Sequence, residues 1–328
     1  MQYSEGEKAM VGGKKDYLKF LLGVALVVVV FTILGTQIRG FLSFRNLMNV
    51  CRQTSIIAIC ACGMTMVIII KGIDLSVPGV ISCCAMINGI LMLQGWPIPL
   101  AMLVALAVGT AMGLFNGAMV EKLEIPAFIT TLVMGNIGRG LALIMNKGDS
   151  IGGFPSAYVF MGNGTWLGIP VSNYIMVLFV VVTSILMGKT RLGTYIYALG
   201  GNDLVVKQQG ISTSLVNFFV FGFSGFCAAM AGILLSAQLD TVHPVQGEPY
   251  LMDAIAGCVI GGVNMLGGEG KAYLALIGAL IIGFLRNILN LLGVHPFYQN
   301  IFVGVIIIVI VGISIARKNN VMEKNKAF

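Results

Sequence analysis

Ten apolar runs follow one another along this chain, with only short polar pieces between them. They cover 18–34, 54–70, 77–93, 98–120, 126–145, 171–187, 214–239, 251–266, 272–293 and 297–316. Each approaches the ~20 residues that a helix needs to cross the hydrocarbon core, or falls somewhat short of it. The expected fold is therefore an all-α polytopic membrane protein, with one domain over 1–328. The runs at 126–145 and 251–266 are marginal, so eight full spans plus two half-helices fit as well as ten spans. Charged residues are 10% of the 328 and apolar residues 57%, against ~25% charge in a soluble domain. So little charge does not cover a water-facing surface.

Lysine and arginine set the orientation. With the N-terminus inside, the cytoplasmic pieces hold fourteen of the 20 basic residues and the opposite side four, Arg39, Arg45, Arg52 and Lys147. The positive-inside rule then places both termini and 189–211 in the cytoplasm, and 146–170 and 240–250 outside. Because Arg39, Arg45 and Arg52 lie on the outer side, 41–53 is expected to be an amphipathic helix on the outer interface. The first run follows lysines as a leader would, but it is long and lacks a small-x-small cleavage site. It reads as a retained span. The net charge of +7 is spread in short pieces beside apolar runs, a topology signal and not a nucleic-acid face.

The longest polar island is T-R-L-G-T-Y-I-Y-A-L-G-G-N-D-L-V-V-K-Q-Q-G-I, from Thr190 to Ile211. Asn202 is placed to cap a helix, Asp203 falls in its first turn, and Gly210 is a natural stop. Asp203 and Lys207 have the spacing of an exposed ion pair. A helix so short is not stable alone. It must dock, either on its own bundle or on a cytoplasmic partner.

Glycine, with 43 copies, is the main architectural residue. Gly109, Gly113 and Gly117 recur along one helical face, as do Gly257 and Gly261, and small residues at that spacing let membrane helices approach closely. Polar breaks carry more functional weight. In K-G-I-D-L-S-V-P-G, from Lys71 to Gly79, two glycines and a proline open the backbone. Asp74 there either faces a cavity or caps a plain cytoplasmic turn. Arg286 and Asn290 share a face expected to turn inward, with Asn287 beside them. Asn116 and Asn264 add neutral amides, which suit an uncharged polyol better than an ion.

Signatures of catalysis are missing. Gly188-Lys189-Thr190 resembles the end of a phosphate loop, but Thr183 stands where that loop needs glycine; Gly270-Lys271 fails similarly, with Met265 and Ala272 at the required positions. The two histidines, His243 and His295, each precede proline and lie far apart, and the seven cysteines form no C-x-x-C pair. No metal site, cofactor or catalytic residue is expected.

The island resembles the coupling region of permease subunits of ribose-type ABC importers, a group that includes permeases for other sugars and for autoinducer-2. T-R-L-G-x-Y-I-Y-A-L-G-G-N carries the resemblance, with G-M-T-M-V-I from Gly63, G-I-D-L-S-V from Gly72, P-A-F-I-T-T-L from Pro126, D-A-I-A-G-C-V-I-G-G from Asp253 and L-N-L-L-G-V from Leu289. It implies a subunit of a prokaryotic cytoplasmic (inner) membrane importer, moving a sugar-like solute such as ribose inward. Expected partners are a cytoplasmic ABC ATPase, an extracytoplasmic solute-binding protein, a second permease subunit (the same or a related chain) and the lipid bilayer, with no nucleic acid. It also implies site residues. Arg191, Gly193, Tyr197, Gly200, Gly201, Asn202, Asp203 and Gly210 would couple to the ATPase. Asp74, Ser76, Asn116, Phe128, Asn264, Arg286, Asn287 and Asn290 would line the solute pathway. Pro78, Leu251, Asn264, Arg286 and the D-L-V-V-K-Q-Q-G helix depart from the ribose-type pattern and leave the solute open. A nucleoside or branched-chain amino-acid permease is the nearest alternative. An ion-coupled carrier using Asp74 is a further one, and a passive channel a third.

Overall fold

The structure, a computed structural model, describes residues 35–309 and residue 312. The expected first span at 18–34 and both termini lie outside the described residues. Twelve helices can be placed in order: α1 (Phe44–Ile69), α2 (Val77–Leu93), α3 (Ile98–Lys122), α4 (Ala127–Met145), α5 (Ser156–Asn163), α6 (Val171–Lys189), α7 (Arg191–Gly201), α8 (Asp203–Gln208), α9 (Thr213–Leu239), α10 (Glu248–Ile260), α11 (Ala272–Leu291) and α12 (Pro296–Val309). Among the described residues six are long and apolar enough to cross a membrane: α1, α3, α4, α6, α9 and α11.

Two expectations change. The stretch 41–53 is no separate interfacial helix, because α1 runs unbroken from Phe44. Arg52 does not disrupt it: its guanidinium donates to Asn49 Oδ1 at 2.8 Å and to Asn163 Oδ1 of α5 at 3.1 Å. The two marginal runs also part ways. The 126–145 run forms a helix of 19 residues. The 251–266 run is helical only as far as Ile260, the end of the 13-residue α10, which is about 20 Å long at 1.5 Å per residue, and continues as a glycine-rich loop.

Helices α1 and α9 are buried along most of their length, while α3, α4 and α6 leave most of theirs outside. The glycine faces explain the closest packing. A side chain at Gly113 would strike the Phe221 carbonyl, and one at Gly225 the Gly109 carbonyl, so α3 and α9 touch backbone to backbone. Gly261 and Gly278 do the same for α10 and α11. With no hydrophobic drive between helices in lipid, such contact is what dispersion needs.

Among the described residues, four two-residue strands make two antiparallel ribbons. β1 (Ile151–Gly152) pairs with β4 (Thr241–Val242), Ile151 opposite Val242. This fixes the 146–170 and 240–247 stretches at one end of the bundle. β2 (Thr165–Trp166) and β3 (Ile169–Pro170) form a hairpin around Leu167 and Gly168, both at positive φ. That two-residue turn matches the strand twist. The 189–211 island lies at the other end, because α6 and α9 run between the two.

Candidate functional sites

At the island end, three segments meet. Thr190 Oγ1 accepts from Gly193 N at 3.1 Å and opens α7. Asn202 Oδ1 accepts from Leu204 N at 3.0 Å and Val205 N at 3.3 Å and opens α8. The short helix closes on Gly210 at φ +72°, with Gly210 N on Lys207 O and Ile211 N on Val206 O, the double bond of a Schellman cap. The C-terminal end of α7 is wedged against the end of α1 and the loop after α10. Gly268 N donates to Ile69 O at 2.9 Å, Tyr197 Oη to Gly270 O at 2.6 Å, and Lys71 Nζ to Gly201 O at 3.3 Å. Burial raises the Tyr197 pKa, with Tyr273 adding to it, so the phenol remains a donor at neutral pH.

The coupling candidates therefore divide. Gly193 and Gly200 are buried, and a side chain at Gly200 would collide with the Ile69 carbonyl. Arg191, Gly201, Asn202, Asp203 and Gly210 are exposed, and Gly201 has open space around it. The ion pair expected between Asp203 and Lys207 does not form; Lys207 lines a cavity with Glu121 instead. Asn264 belongs to this end too. Its Oδ1 accepts from Leu266 N at 3.0 Å and its Nδ2 donates to Glu269 Oε2 at 3.2 Å, closing the loop that carries Gly267–Gly270.

Deeper in the bundle, Asp74, Ser76 and Asn116 come together. Asp74 Oδ1 accepts from Ser76 N at 2.9 Å and Ser76 Oγ at 2.5 Å, and Oδ2 from Ser224 Oγ of α9 at 2.6 Å. Asn116 Nδ2 of α3 donates to Ser76 Oγ at 3.1 Å, and Leu75 N donates to Thr131 Oγ1 of α4 at 3.0 Å. Asp74 is 1% exposed, so its carboxylate lies inside the bundle. Three donors satisfy the carboxylate, and the break is pinned to α3, α4 and α9. Beyond it the start of α2 meets the start of α10: a side chain at Gly247 would strike the Pro78 carbonyl, and Gly247 N donates to Ser82 Oγ at 3.2 Å.

A third group lies toward the ribbon end. Arg286 Nη2 of α11 donates to Asp253 Oδ1 of α10 at 2.7 Å and to Asn300 Oδ1 of α12 at 3.2 Å. Asn287 exchanges hydrogen bonds with Asn46 of α1 at 2.8 and 3.0 Å. Asn290 accepts from Gln299 Nε2 at 2.7 Å but is exposed, against the expected inward face. Nearby, Arg139 of α4 pairs with Glu248 at the start of α10 at 3.0 Å, both side chains half-exposed. A cavity of about 280 Å³ opens beside them, lined by Glu248, Pro249, Met252, Asn300 and Val303. Phe128 sits apart, exposed in the first turn of α4. Sequence reasoning missed Asp253, Arg139, Glu248 and Asn300 as members of this group. Charges within or beside apolar runs were the available signal, since each needs a partner there.

Comparison with known proteins follows the same length of chain. Residues 46–311 match the family described as branched-chain amino acid transport system / permease component. The chain is 40% identical to the ribose import permease protein of Haemophilus influenzae over 292 residues, covering 88% of this chain and 90% of that one. It is 37% identical to the ribose import permease protein of Escherichia coli strain K12, covering 92% and 96%. The D-allose transport system permease protein of the same strain is 34% identical, with 88% and 89% covered.

Proposed function

The chain belongs to the family of permease components of branched-chain amino acid transport systems, and from that premise we propose that it is the membrane-spanning subunit of a binding-protein-dependent ABC importer for a ribose-like monosaccharide. Its relatives over nearly full length are named for ribose and D-allose, both neutral polyols. A cytoplasmic ATPase subunit hydrolyses ATP, a soluble binding protein delivers solute from outside, and a second permease subunit completes the pathway. The protein resides in the inner membrane of a prokaryote, with the island facing the cytoplasm.

The observation that carries the pathway assignment is the half-exposed ion pair Arg139–Glu248. Arg139 is the thirteenth of 19 residues in α4, well inside a helix long enough to span. A charge facing lipid there costs ~3 kcal/mol or more. The face made by α4, α10 and α12 is therefore wet or covered by a partner, and the adjoining cavity with Glu248 and Asn300 offers hydroxyl partners. Neutral amides and internally paired charges suit a neutral polyol better than an ion. At the other end, exposed Arg191, Gly201, Asn202 and Asp203 form the surface offered to the ATPase, supported from behind by the Gly200–Ile69 contact.

Solute class is tested in proteoliposomes holding the chain with its partner ATPase and binding protein. Labelled ribose and D-allose are offered, with leucine and adenosine as competitors. Monosaccharide uptake indifferent to both competitors is expected. Uptake of leucine or adenosine in its place overturns the sugar assignment.

A further inference from the structure

The β2–β3 hairpin carries apolar surface that the described residues leave uncovered. Trp166 is 61% exposed, Leu167 81% and Ile169 41%. Trp166 stands opposite Ile169 in the ribbon, so the two side chains share one face. Pro170, opposite Thr165, is buried. The hairpin is also held in place. Val171 N donates to Gly164 O at 3.0 Å, Tyr174 Oη donates to Trp166 O at 2.9 Å, and the Trp166 and Tyr174 rings lie 5.4 Å apart. Trp166 is therefore fixed against the first turn of α6.

What covers this surface follows from α6. Tyr174, Leu178, Val181 and Ile185 recur at helical spacing and form one stripe. Leu178, Val181 and Ile185 are exposed, while Met176, Phe179, Val180 and Thr183 on the other side of the helix are buried. An exposed apolar stripe on a helix long enough to span faces acyl chains. Trp166 continues that stripe past its Tyr174 end. The 19 residues of α6 measure about 28 Å, close to the ~30 Å of the hydrocarbon core. With Lys189 ending the helix at one boundary, the hairpin just before Val171 comes level with the headgroups at the other. No residue from 150 to 188 is charged. Such a patch offers a protein partner no electrostatic steering, whereas Trp and Tyr settle at a membrane–water boundary.

We propose that the β2–β3 hairpin is an interfacial anchor, seating Trp166 and Ile169 among the headgroups and upper acyl chains of the leaflet at the ribbon end. In the proposed orientation this is the outer leaflet. The inference needs only that α6 spans the bilayer, and it stands apart from the solute and from the ATPase. The headgroup zone is wet, so a thiol at position 167 stays open to water-borne reagents from that side.

Tryptophan fluorescence of the full chain reconstituted in liposomes tests this. The chain has two tryptophans, so Trp96→Phe leaves Trp166 as the sole emitter. Lipids brominated near the top of the acyl chains are expected to lower its emission by about half or more, and to quench it more than lipids brominated at the chain ends, as an interfacial indole requires. Iodide on both sides of the vesicles should quench it less than it quenches free tryptophan. Iodide quenching equal to that of free tryptophan, with no effect of brominated lipid, leaves the hairpin in water and open to a soluble partner, and overturns the proposal. Quenching by neither agent, the mark of a protein cover, overturns it equally, as does stronger quenching from the chain ends. If Trp96→Phe does not insert, the difference in emission between wild type and Trp166→Phe isolates the same signal.

Discussion

The Arg286 guanidinium lies 2.7 Å from the Asp253 carboxylate and joins the end of α11 to the half-length helix α10. The Asp253 side chain is 3% exposed and that of Arg286 17%, so the carboxylate is shut off from bulk water and leans on the guanidinium beside it. The pair also reaches α12 through Asn300. Three helices beside the candidate pathway therefore depend on one contact between residues 33 apart in sequence.

Breaking that contact from one side is expected to be costly. Arg286→Ala leaves a buried carboxylate without its partner, a loss of about 3–5 kcal/mol for a pair of this kind. Replacing both, Arg286→Met with Asp253→Leu, is expected to restore most of the stability, since an apolar pair of similar size avoids desolvating two charges. Thermal unfolding in detergent checks this. Equal melting temperatures for wild type and Arg286→Ala contradict it.

The two glycines that end α7 should behave oppositely. Gly200→Ala drives a methyl group into the Ile69 carbonyl and is expected to cost about 1–3 kcal/mol as overpacking. Gly201→Val meets open space, so stability should stay within ~0.5 kcal/mol of wild type. Uptake and ATPase stimulation in Gly201→Val should nevertheless fall, because that surface is the one proposed to dock on the ATPase. Normal coupling in Gly201→Val counts against the docking surface.

Orientation is open to a labelling experiment. Cysteine replacing Asp203, in a background lacking the native cysteines, should react with an impermeant maleimide only in inside-out vesicles. Cysteine replacing Leu167, 81% exposed at the tip of the β2–β3 hairpin, should react only in right-side-out cells. The reverse pattern inverts the assigned topology.

Asp74 separates a structural clamp from an ion site. Asn at 74 keeps one acceptor oxygen, and the Ser224 hydroxyl can turn to accept from the new amide. Asp74→Asn should therefore keep part of the transport. Asp74→Leu strands the buried Ser76 and Ser224 donors, at ~1–3 kcal/mol for each unsatisfied group, and should reduce the amount of inserted protein. Complete loss of transport in well-inserted Asp74→Asn favours ion binding instead.

Much of this architecture was legible because lipid imposes simple demands. An apolar run near 20 residues long has few fates in a bilayer, and the 77–93 run matches α2 end for end. Gly109, Gly113 and Gly117 announced a close helix contact, and Asn202 and Gly210 announced the two ends of α8. What escaped was set by tertiary partners. Arg45 and Arg52 suggested a helix lying on the surface, but Asn49 and Asn163 satisfy Arg52 and α1 continues through both. Asn264 and Arg286 looked like members of one polar set, yet the fold places them at opposite ends of α11. Gly200 and Gly201 are indistinguishable in sequence, and only the approach of Ile69 makes one of them indispensable. Asp253 stands out in sequence only as the first residue of D-A-I-A-G-C-V-I-G-G, although its partner Arg286 stands one helix later.

The central claim is that this chain moves solute by borrowing ATP hydrolysis from a partner. Its most direct test is uptake into proteoliposomes that contain the chain, its ATPase and its binding protein, with ATP held constant and ionophores dissipating the proton and sodium gradients. Uptake that persists with ionophore and stops without ATP or without the binding protein is the predicted result. Uptake that stops with the ionophore, despite ample ATP and both partners, contradicts the account.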